Sequence, residues 1–304
     1  MAPDRASEDG PAPRVPGPDA SGAGRDETGA PVVTAAEPGT DGVGTAAGDA
    51  PREPVLVETS LADLTDAELV DVYRRLLEPT FRPEELMSRD EVRATFTGPD
   101  AEPSLVVLAD GRAVGLMLGG WYADRRALLL TYLAVDPRTR GTGLGARLVS
   151  EILPRWAGAS PGALVVAEVD DPRHWPADET QGDPVARLRF YGRHGARLVP
   201  LPYVQPSLGP GTPRVDGMLL LRLDANPGVT GDTLAAFLAD YFAQHEGPEA
   251  LDDPVVARLV AGARALDLDD ALWSVDRWPD VPTDVPTDAP SGRPADGPRG
   301  EGDR

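Results

Sequence analysis

The chain has 304 residues and a net charge of −21, and it contains neither cysteine nor lysine. These two absences exclude disulfides, a cysteine nucleophile, a Schiff-base lysine and the lysine of a Walker phosphate loop. The negative charge argues against nucleic acid and anionic membranes as partners. No apolar stretch is long enough to span a membrane and the first residues do not resemble a signal peptide, so a cytoplasmic protein is expected. Heavy use of Arg, Ala, Gly and Pro is typical of a GC-rich bacterial genome.

Composition divides the chain into four parts. Residues 1–52 and 279–304 are rich in Pro, Gly, Ala and Asp and have almost no large apolar side chains, which predicts two disordered tails. Residues 53–224 carry the strand and helix patterns of one domain, and residues 225–278 carry those of a C-terminal helical extension.

The first half of the domain predicts two helices followed by antiparallel strands. Capping boxes at Thr65–Glu68 and Ser88–Glu91 mark the two helix starts. Asp110-Gly111 is a strong hairpin signal, and Gly119-Gly120 indicates a bulge or twist within a strand. The three strands predicted here cover residues 104–109, 113–122 and 128–135.

The second half predicts further strands alternating with helices. One helix is expected to begin at about Thr142, and Asp183-Pro184 starts another that ends near His194-Gly195. Strands are predicted at residues 163–169, 198–204 and 215–223. The predicted fold class is therefore α/β (α+β), with a mixed, mostly antiparallel central sheet of about six or seven strands flanked by helices. One-faced helices after Asp232 and Asp253 need either the main domain or the second subunit of a homodimer to cover their apolar stripes.

The glycine-rich run from Arg138 to Ala146 has the features of an anion site. Its glycines allow close backbone approach, the following helix start adds a positive dipole end, and two arginines add charge. The spacing Gly141-x-Gly143-x-x-Ala146 also fits the dinucleotide fingerprint of nicotinamide-dependent enzymes. Against that interpretation, residues 136–140 separate the preceding strand from the first glycine, and this strand belongs to an antiparallel hairpin.

Two motifs in this order resemble a known family. Arg140-Gly141-Thr142-Gly143-Leu144-Gly145 resembles the Arg/Gln-x-x-Gly-x-Gly/Ala signature of the GNAT superfamily of acyl-CoA N-acyltransferases. Downstream, Phe190-Tyr191-Gly192-Arg193-His194-Gly195-Ala196 is similar to the family's Phe-Tyr-x-x-x-Gly-Phe element, with Ala196 in place of the final Phe. The resemblance covers roughly residues 54–224 and implies the GNAT fold, with acetyl-CoA as co-substrate.

The resemblance also implies which residues form the site. A backbone N–H near Leu133 would polarise the thioester carbonyl of the inserted coenzyme. Tyr191 is the candidate general acid for the leaving thiolate and Glu168 the candidate base, with Asp170 and Asp171 as alternative bases. The residues expected to bind the coenzyme are Leu133, Ala134, Val135, Arg138, Arg140, Gly141, Thr142, Gly143, Leu144, Gly145 and Ala146.

A long loop over residues 170–183 replaces the short connection that is usual in this family. Its acids are expected to bind an amine cation, with Trp175 as a wall and His174 as a further base, and an exposed polar loop is the alternative. Tyr203 and Gln205 are candidates for another wall of the acceptor pocket.

The expected function is transfer of an acetyl or other acyl group from acetyl-CoA to a primary amine. The amine, of a small molecule or a peptide, would attack directly in a ternary complex. The alternatives are a non-catalytic acyl-CoA-binding regulatory module and an NAD(P)-dependent oxidoreductase. No His, Asp or Glu residues have metal-ligand spacing, so no metal is expected.

Overall fold

The computed structural model describes residues 56–178, 181–209 and 211–283. The tail predicted at residues 1–52 lies outside the described residues, as does the C-terminal tail from residue 284 onward. Residues 279–283 of the predicted C-terminal tail are described, and a short helix Val275–Asp280 is followed by Val281, which is buried. Helical structure therefore continues past the boundary predicted at residue 278.

Within the described residues the chain forms one eight-stranded sheet with strand order β1-β2-β3-β4-β5-β7-β6-β8. All neighbouring strands are antiparallel except β4 and β5, which are parallel. The strands are β1 Leu56–Thr59, β2 Ser104–Ala109, β3 Arg112–Tyr122, β4 Ala127–Val135, β5 Leu164–Asp170, β6 Arg197–Leu198, β7 Met218–Arg222 and β8 Trp273–Ser274. The predicted mixed and mostly antiparallel sheet is confirmed.

The sheet differs from the prediction at its margins. The short strands β1 and β8 were not expected, and they bring the number of strands to eight. The strand predicted at residues 198–204 is reduced to β6, and its C-terminal part is irregular. Pro200 and Pro202 explain this difference, because a proline has no N–H to donate to a neighbouring strand.

The helices follow the predicted capping signals. Both capping boxes are formed, at Thr65 before α1 and at Ser88 before α2. The helix after the glycine-rich run begins at Leu144 rather than Thr142, because Gly141 and Gly143 have φ angles of 82° and 86°, outside the right-handed helical region. The helices are α1 Asp66–Val72, α2 Arg89–Phe96, α3 Leu144–Arg147, α4 Leu153–Ala157, α5 Pro184–Arg193, α6 Gly231–Glu246 and α7 Pro254–Arg264. A π-helical turn, Leu148–Ile152, joins α3 to α4, and another, Tyr73–Leu77, follows α1.

Helices cover both faces of the sheet. Helices α3, α4 and α5 pack on one face against side chains such as Leu128 and Val165, and α6 and α7 pack on the other against Leu129 and Val166. Helices α1 and α2 cover the β2–β4 part of this second face. The main domain therefore buries the apolar stripe of α6, one of the two arrangements that the sequence allowed. No helix in the described residues is long and apolar enough to cross a membrane.

We expect Gly231→Ala to destabilise the protein, because α6 begins against the backbone at the end of α7. A Cβ added at Gly231 would lie 2.5 Å from the carbonyl oxygens of Ala263 and Leu266, which cannot rotate away as a side chain can. The expected loss is about 1–3 kcal/mol in urea unfolding. Gly209→Ala is the matched control, since its nearest contact would be an ordinary 3.7 Å. Equal unfolding midpoints for the two variants would contradict this account of the contact.

Candidate active site

The sheet opens between its two parallel strands. Pairing between β4 and β5 ends at Leu130 and Ala167, although both strands continue. In the β3–β4 register Leu130 pairs with Gly119 and Tyr132 pairs with Leu118, which leaves Thr131 as the extra residue of a bulge. A bulge bends its strand and increases the local twist. Beyond Thr131, β4 stays paired with β3 and β5 stays paired with β7. A gap therefore lies between β4 and β5.

The glycine-rich run lies at the C-terminal end of β4. Asp136 accepts a hydrogen bond from the backbone N–H of Arg138 at 2.9 Å, and this contact fixes the short helical turn before the glycines. Arg138 and Arg140 are exposed and make no ion pair with the described residues. The run thus combines uncompensated positive charge with the free N–H groups of a helix start, the combination expected of a phosphate site.

A cleft extends from this run between β4 and α5, and we refer to it as the β4–α5 cleft. Five of the residues predicted from the sequence line it: Leu133, Val135, Arg140, Gly145 and Tyr191. Ala134 points to the opposite face and is buried there, so only its backbone is available to a bound molecule. The other residues expected at the coenzyme lie along the run outside the lining of the cleft: Arg138, Gly141, Thr142, Gly143, Leu144 and Ala146.

Tyr191 brings a phenol from α5 to this cleft. Its ring is buried against Phe190, with 5.2 Å between the ring centroids. Burial raises the pKa of Tyr191 to about 12, although the nearby Arg187 opposes the change. Its hydroxyl has no hydrogen-bond partner in the described part of the chain and stays protonated at neutral pH, so it can donate a proton or a hydrogen bond into the cleft.

Glu168 extends from β5 on the opposite face of the sheet. The hydroxyl of Tyr203 donates to Oε1 at 2.5 Å, while the hydroxyl of Tyr241 and Nε2 of Gln205 each donate to Oε2 at 3.1 Å. Burial raises the pKa of Glu168 to about 7, because the cost of desolvation outweighs the three hydrogen bonds that favour the carboxylate; Glu85 raises it further. A carboxyl group with this pKa can accept and release a proton near neutral pH.

The first two acids of the long loop after β5 differ from their predicted role, while Gln181, Gly182 and Asp183 at its end line the β4–α5 cleft. Asp170 accepts hydrogen bonds from Arg82 and Arg187, each at 2.7 Å, and Asp171 is paired with Arg173 at 2.5 Å. Both aspartates are buried, so these guanidinium groups compensate their charge. The expectation that these acids bind an amine cation or act as bases is therefore corrected: they hold arginines.

The aromatic and histidine side chains of the loop are also in structural contacts. Trp175 stacks on Arg82, with 3.7 Å from the guanidinium carbon to the ring centroid, and donates its indole N–H to the carbonyl of Asp216. His174 packs on Gly217, where an added Cβ would lie 2.3 Å from the imidazole ring. The two predicted wall residues, Tyr203 and Gln205, both donate hydrogen bonds to Glu168.

Several polar aromatic residues near Glu168 were not predicted from the sequence. Tyr122 and Tyr132 extend from β3 and β4 on its face of the sheet, and Tyr241 and His245 extend from α6. In sequence, Tyr241 is one member of an apolar helical stripe, and no local pattern indicates its hydrogen bond to a carboxylate. Within the described residues, no group of three or more His, Asp or Glu side chains is placed to hold a metal ion.

Comparison with known proteins identifies the domain. The family model for the acetyltransferase (GNAT) family matches residues 70–195. Among solved structures, the chain is similar to a putative GNAT-family acetyltransferase from Bacteroides thetaiotaomicron, at 23% identity and a TM-score of 0.42, over 56% of this chain and 90% of that one. It is also similar to a putative acetyltransferase of the GNAT family from Desulfovibrio desulfuricans, at 20% identity and a TM-score of 0.41, over 56% and 99% of the two chains.

A third similar structure is a putative streptothricin acetyltransferase from Bacillus anthracis in complex with acetyl coenzyme A. It is 16% identical, with a TM-score of 0.31, and the match covers 43% of this chain and 67% of that one. A search of curated proteins finds no significant match. The family match agrees with the mixed sheet and with the glycine-rich run after β4. Residues 70–195 of this chain are therefore an acetyltransferase domain of the GNAT family.

Proposed function

We propose that the protein transfers an acetyl group from acetyl-CoA to a primary amine of a small molecule, by direct attack within a ternary complex. The observation that carries this proposal is the pair of groups at the opening of the sheet. Tyr191 offers an unpaired, protonated phenol on one face, and Glu168 offers a carboxylate with a pKa of about 7 on the other.

The proposed donor site is the β4–α5 cleft together with the glycine-rich run. Arg140 and the N–H groups at the start of α3 would hold the pyrophosphate, as the exposed positive charge and the glycine conformations suggest. The open edge of β4 beyond Thr131 offers backbone groups to the pantetheine arm, and these groups have no strand partner on that side. A backbone N–H near Leu133 would stabilise the oxyanion as the carbonyl is attacked.

In the proposed reaction one proton is transferred on each face of the sheet. Glu168 takes a proton from the attacking nitrogen while the C–N bond forms at the carbonyl carbon. The C–S bond then breaks, and Tyr191 gives its proton to the departing thiolate. No acyl-enzyme is required, which agrees with the absence of cysteine from the chain.

We expect Tyr191→Phe to slow thiol release from acetyl-CoA about a hundredfold in assays with an amine panel. Coenzyme affinity, measured by calorimetry, should remain nearly unchanged because the ring is retained. Tyr73→Phe is the control, since its hydroxyl donates to the carbonyl of Met87 at 2.7 Å, away from the cleft. Equal rates in Tyr191→Phe and the parent would remove Tyr191 from the mechanism.

We expect Arg140→Ala to weaken binding of coenzyme A about tenfold, because it removes one charge-assisted contact to phosphate. Calorimetry with coenzyme A and, in parallel, with NAD measures this effect. Arg258→Ala is the control, since Arg258 is exposed on α7 and does not line the β4–α5 cleft. Binding of NAD alone would favour an oxidoreductase, and unchanged coenzyme affinity in Arg140→Ala would contradict the phosphate assignment. Tight binding without thiol release for any amine would favour a regulatory module.

We expect Glu168→Gln to lower the rate of thiol release at least about a hundredfold, and the rate of the parent should rise with pH through about 7. The variant should also gain stability relative to the parent at higher pH. The folded-state pKa lies above the ordinary value of 4.5, so the folded parent loses stability as the pH rises from 4.5 to about 7, and the variant does not.

Urea unfolding at about pH 5 and about pH 8 tests this stability difference. Glu78→Gln serves as the control because it neutralises an exposed carboxylate. A stability difference between Glu168→Gln and the parent that does not change with pH would show that the carboxyl group titrates normally.

A further inference from the structure

A second cavity lies on the face of the sheet that carries Glu168, and we call it the α6 cavity. Its volume is about 170 Å³, and it is bounded by the α2 region, by β3 and β4, and by α6. Gln205 and Tyr241 line it and both donate to Glu168, so the inner end of the cavity lies next to the candidate base. Thr131 and Tyr132 line it too, and the next residue of β4, Leu133, lines the β4–α5 cleft. The two spaces therefore adjoin the same segment of β4.

Gly120 lines the α6 cavity and has no side chain to fill it. A Cβ at this position would lie 3.1 Å from the ring of Tyr122 and 3.5 Å from Oγ1 of Thr131. The φ angle of Gly120 is not positive, so its backbone conformation does not require a glycine. The lack of a side chain here therefore leaves space in the cavity and is not needed for a turn.

One buried polar atom in the wall lacks a partner. Gln205 is 6% exposed, and its Nε2 is used in the contact with Glu168, while its Oε1 accepts no hydrogen bond from the described residues. An unsatisfied buried acceptor costs about 1–3 kcal/mol. A ligand N–H donor would satisfy this oxygen once the amide of Gln205 turned it toward the cavity.

The remaining walls favour a positive charge. Tyr122, Tyr132 and Tyr241 line the space, and the faces of aromatic rings attract cations. Although all 29 basic residues of the chain are arginine, none within residues 56–178, 181–209 and 211–283 lines the cavity. His245 is also in the wall, and burial lowers its pKa, so it is neutral at pH 7.

Glu102 supplies a second carboxylate at a different point of the wall. Its Oε2 accepts a hydrogen bond from the backbone N–H of Trp121 at 3.0 Å, and Oε1 has no partner in the described residues. Burial raises the pKa of Glu102, although the charge of Arg125 opposes this change; Arg125 itself does not line the cavity, and its guanidinium carbon lies 5.8 Å from the centroid of the Trp121 ring. The cavity therefore has Glu168 beyond its inner wall, an orphan acceptor beside it, and a further anion at Glu102.

From these contacts we infer that the α6 cavity is the acceptor subsite and that it takes a short aliphatic diamine. One amino group lies at Gln205, which donates to Glu168 behind it, and is acetylated there, while the other remains a cation at Glu102. This inference rests on the proposed function and extends it to a substrate class. It also gives α6, which lies outside the matched family domain, a specific role: its residues Tyr241, Gln244 and His245 form one wall of the subsite.

The test measures binding and turnover separately. Calorimetry with the full chain and butanediamine needs no acetyl-CoA, so it reports on the subsite even if the proposed transfer does not occur. Butylamine and aminobutanol, which lack the second cation, serve as comparison ligands. We expect butanediamine to bind at least about tenfold more tightly than either comparison ligand. Similar binding of all three, or no binding of butanediamine, would overturn the inference.

Two variants assign the effect to the cavity. Glu102→Gln retains an acceptor for the Trp121 N–H and removes the charge, so it should weaken butanediamine binding about tenfold and leave butylamine binding within about twofold. Glu78→Gln, outside the cavity, should change neither. Gln244→Arg adds a cation on α6 at the wall and should weaken butanediamine binding by a similar factor. If Glu102→Gln weakens both ligands equally, Glu102 does not hold the second cation and the diamine assignment is overturned.

Turnover separates the inference from the proposed function. Thiol release that is faster with butanediamine than with butylamine, and that loses this preference in Glu102→Gln, would support both. Butanediamine binding without thiol release would support the subsite and contradict the transferase. Thiol release with another amine, in a protein that does not bind butanediamine, would support the transferase and overturn the diamine inference.

Discussion

A parallel pair of strands that stays hydrogen-bonded along its length leaves no room for a substrate between them. In this protein the extra residue Thr131 bends β4 at the point where its pairing with β5 ends. Each strand keeps its other neighbour, so the sheet remains continuous while the gap opens. The positions of the β4–α5 cleft, the α6 cavity and the two candidate catalytic side chains all follow from this divergence.

Side chains along β5 alternate between the two faces of the sheet, and this alternation determines the face from which Glu168 approaches the gap between β4 and β5. Ala167 and Val169 pack with α3, α4 and α5, so Glu168 must extend from the other face. That face is covered by α6, whose Tyr241 donates to the carboxylate. Without this cover Glu168 would be a hydrated carboxylate on a sheet surface. The raised pKa of the candidate base is therefore a consequence of the C-terminal extension as much as of the family domain.

Local rules account for the parts that the sequence predicted. The capping boxes at Thr65 and Ser88, the hairpin at Asp110-Gly111 and the glycine-rich run each depend on contacts within a few residues. The irregularity expected at Gly119-Gly120 is also present, although the extra residue of the bulge is Thr131 on the facing strand. Edge strands of two to four residues, such as β1 and β8, carry too little periodicity to be predicted.

Charges in the site depend on partners that are distant in sequence. Asp170 was expected to attract an amine, but Arg82, 88 residues earlier, binds it, and Glu168 meets Tyr241 only 73 residues later. In a chain whose basic residues are all arginine, most buried carboxylates have a guanidinium partner. Neutral groups donate the hydrogen bonds to Glu168 and Glu102 instead, and no arginine of the described residues lines the α6 cavity. The unpaired amide oxygen of Gln205 lies beside a carboxylate that only neutral groups hold, and for this reason we propose the acceptor at α6 rather than at the long loop.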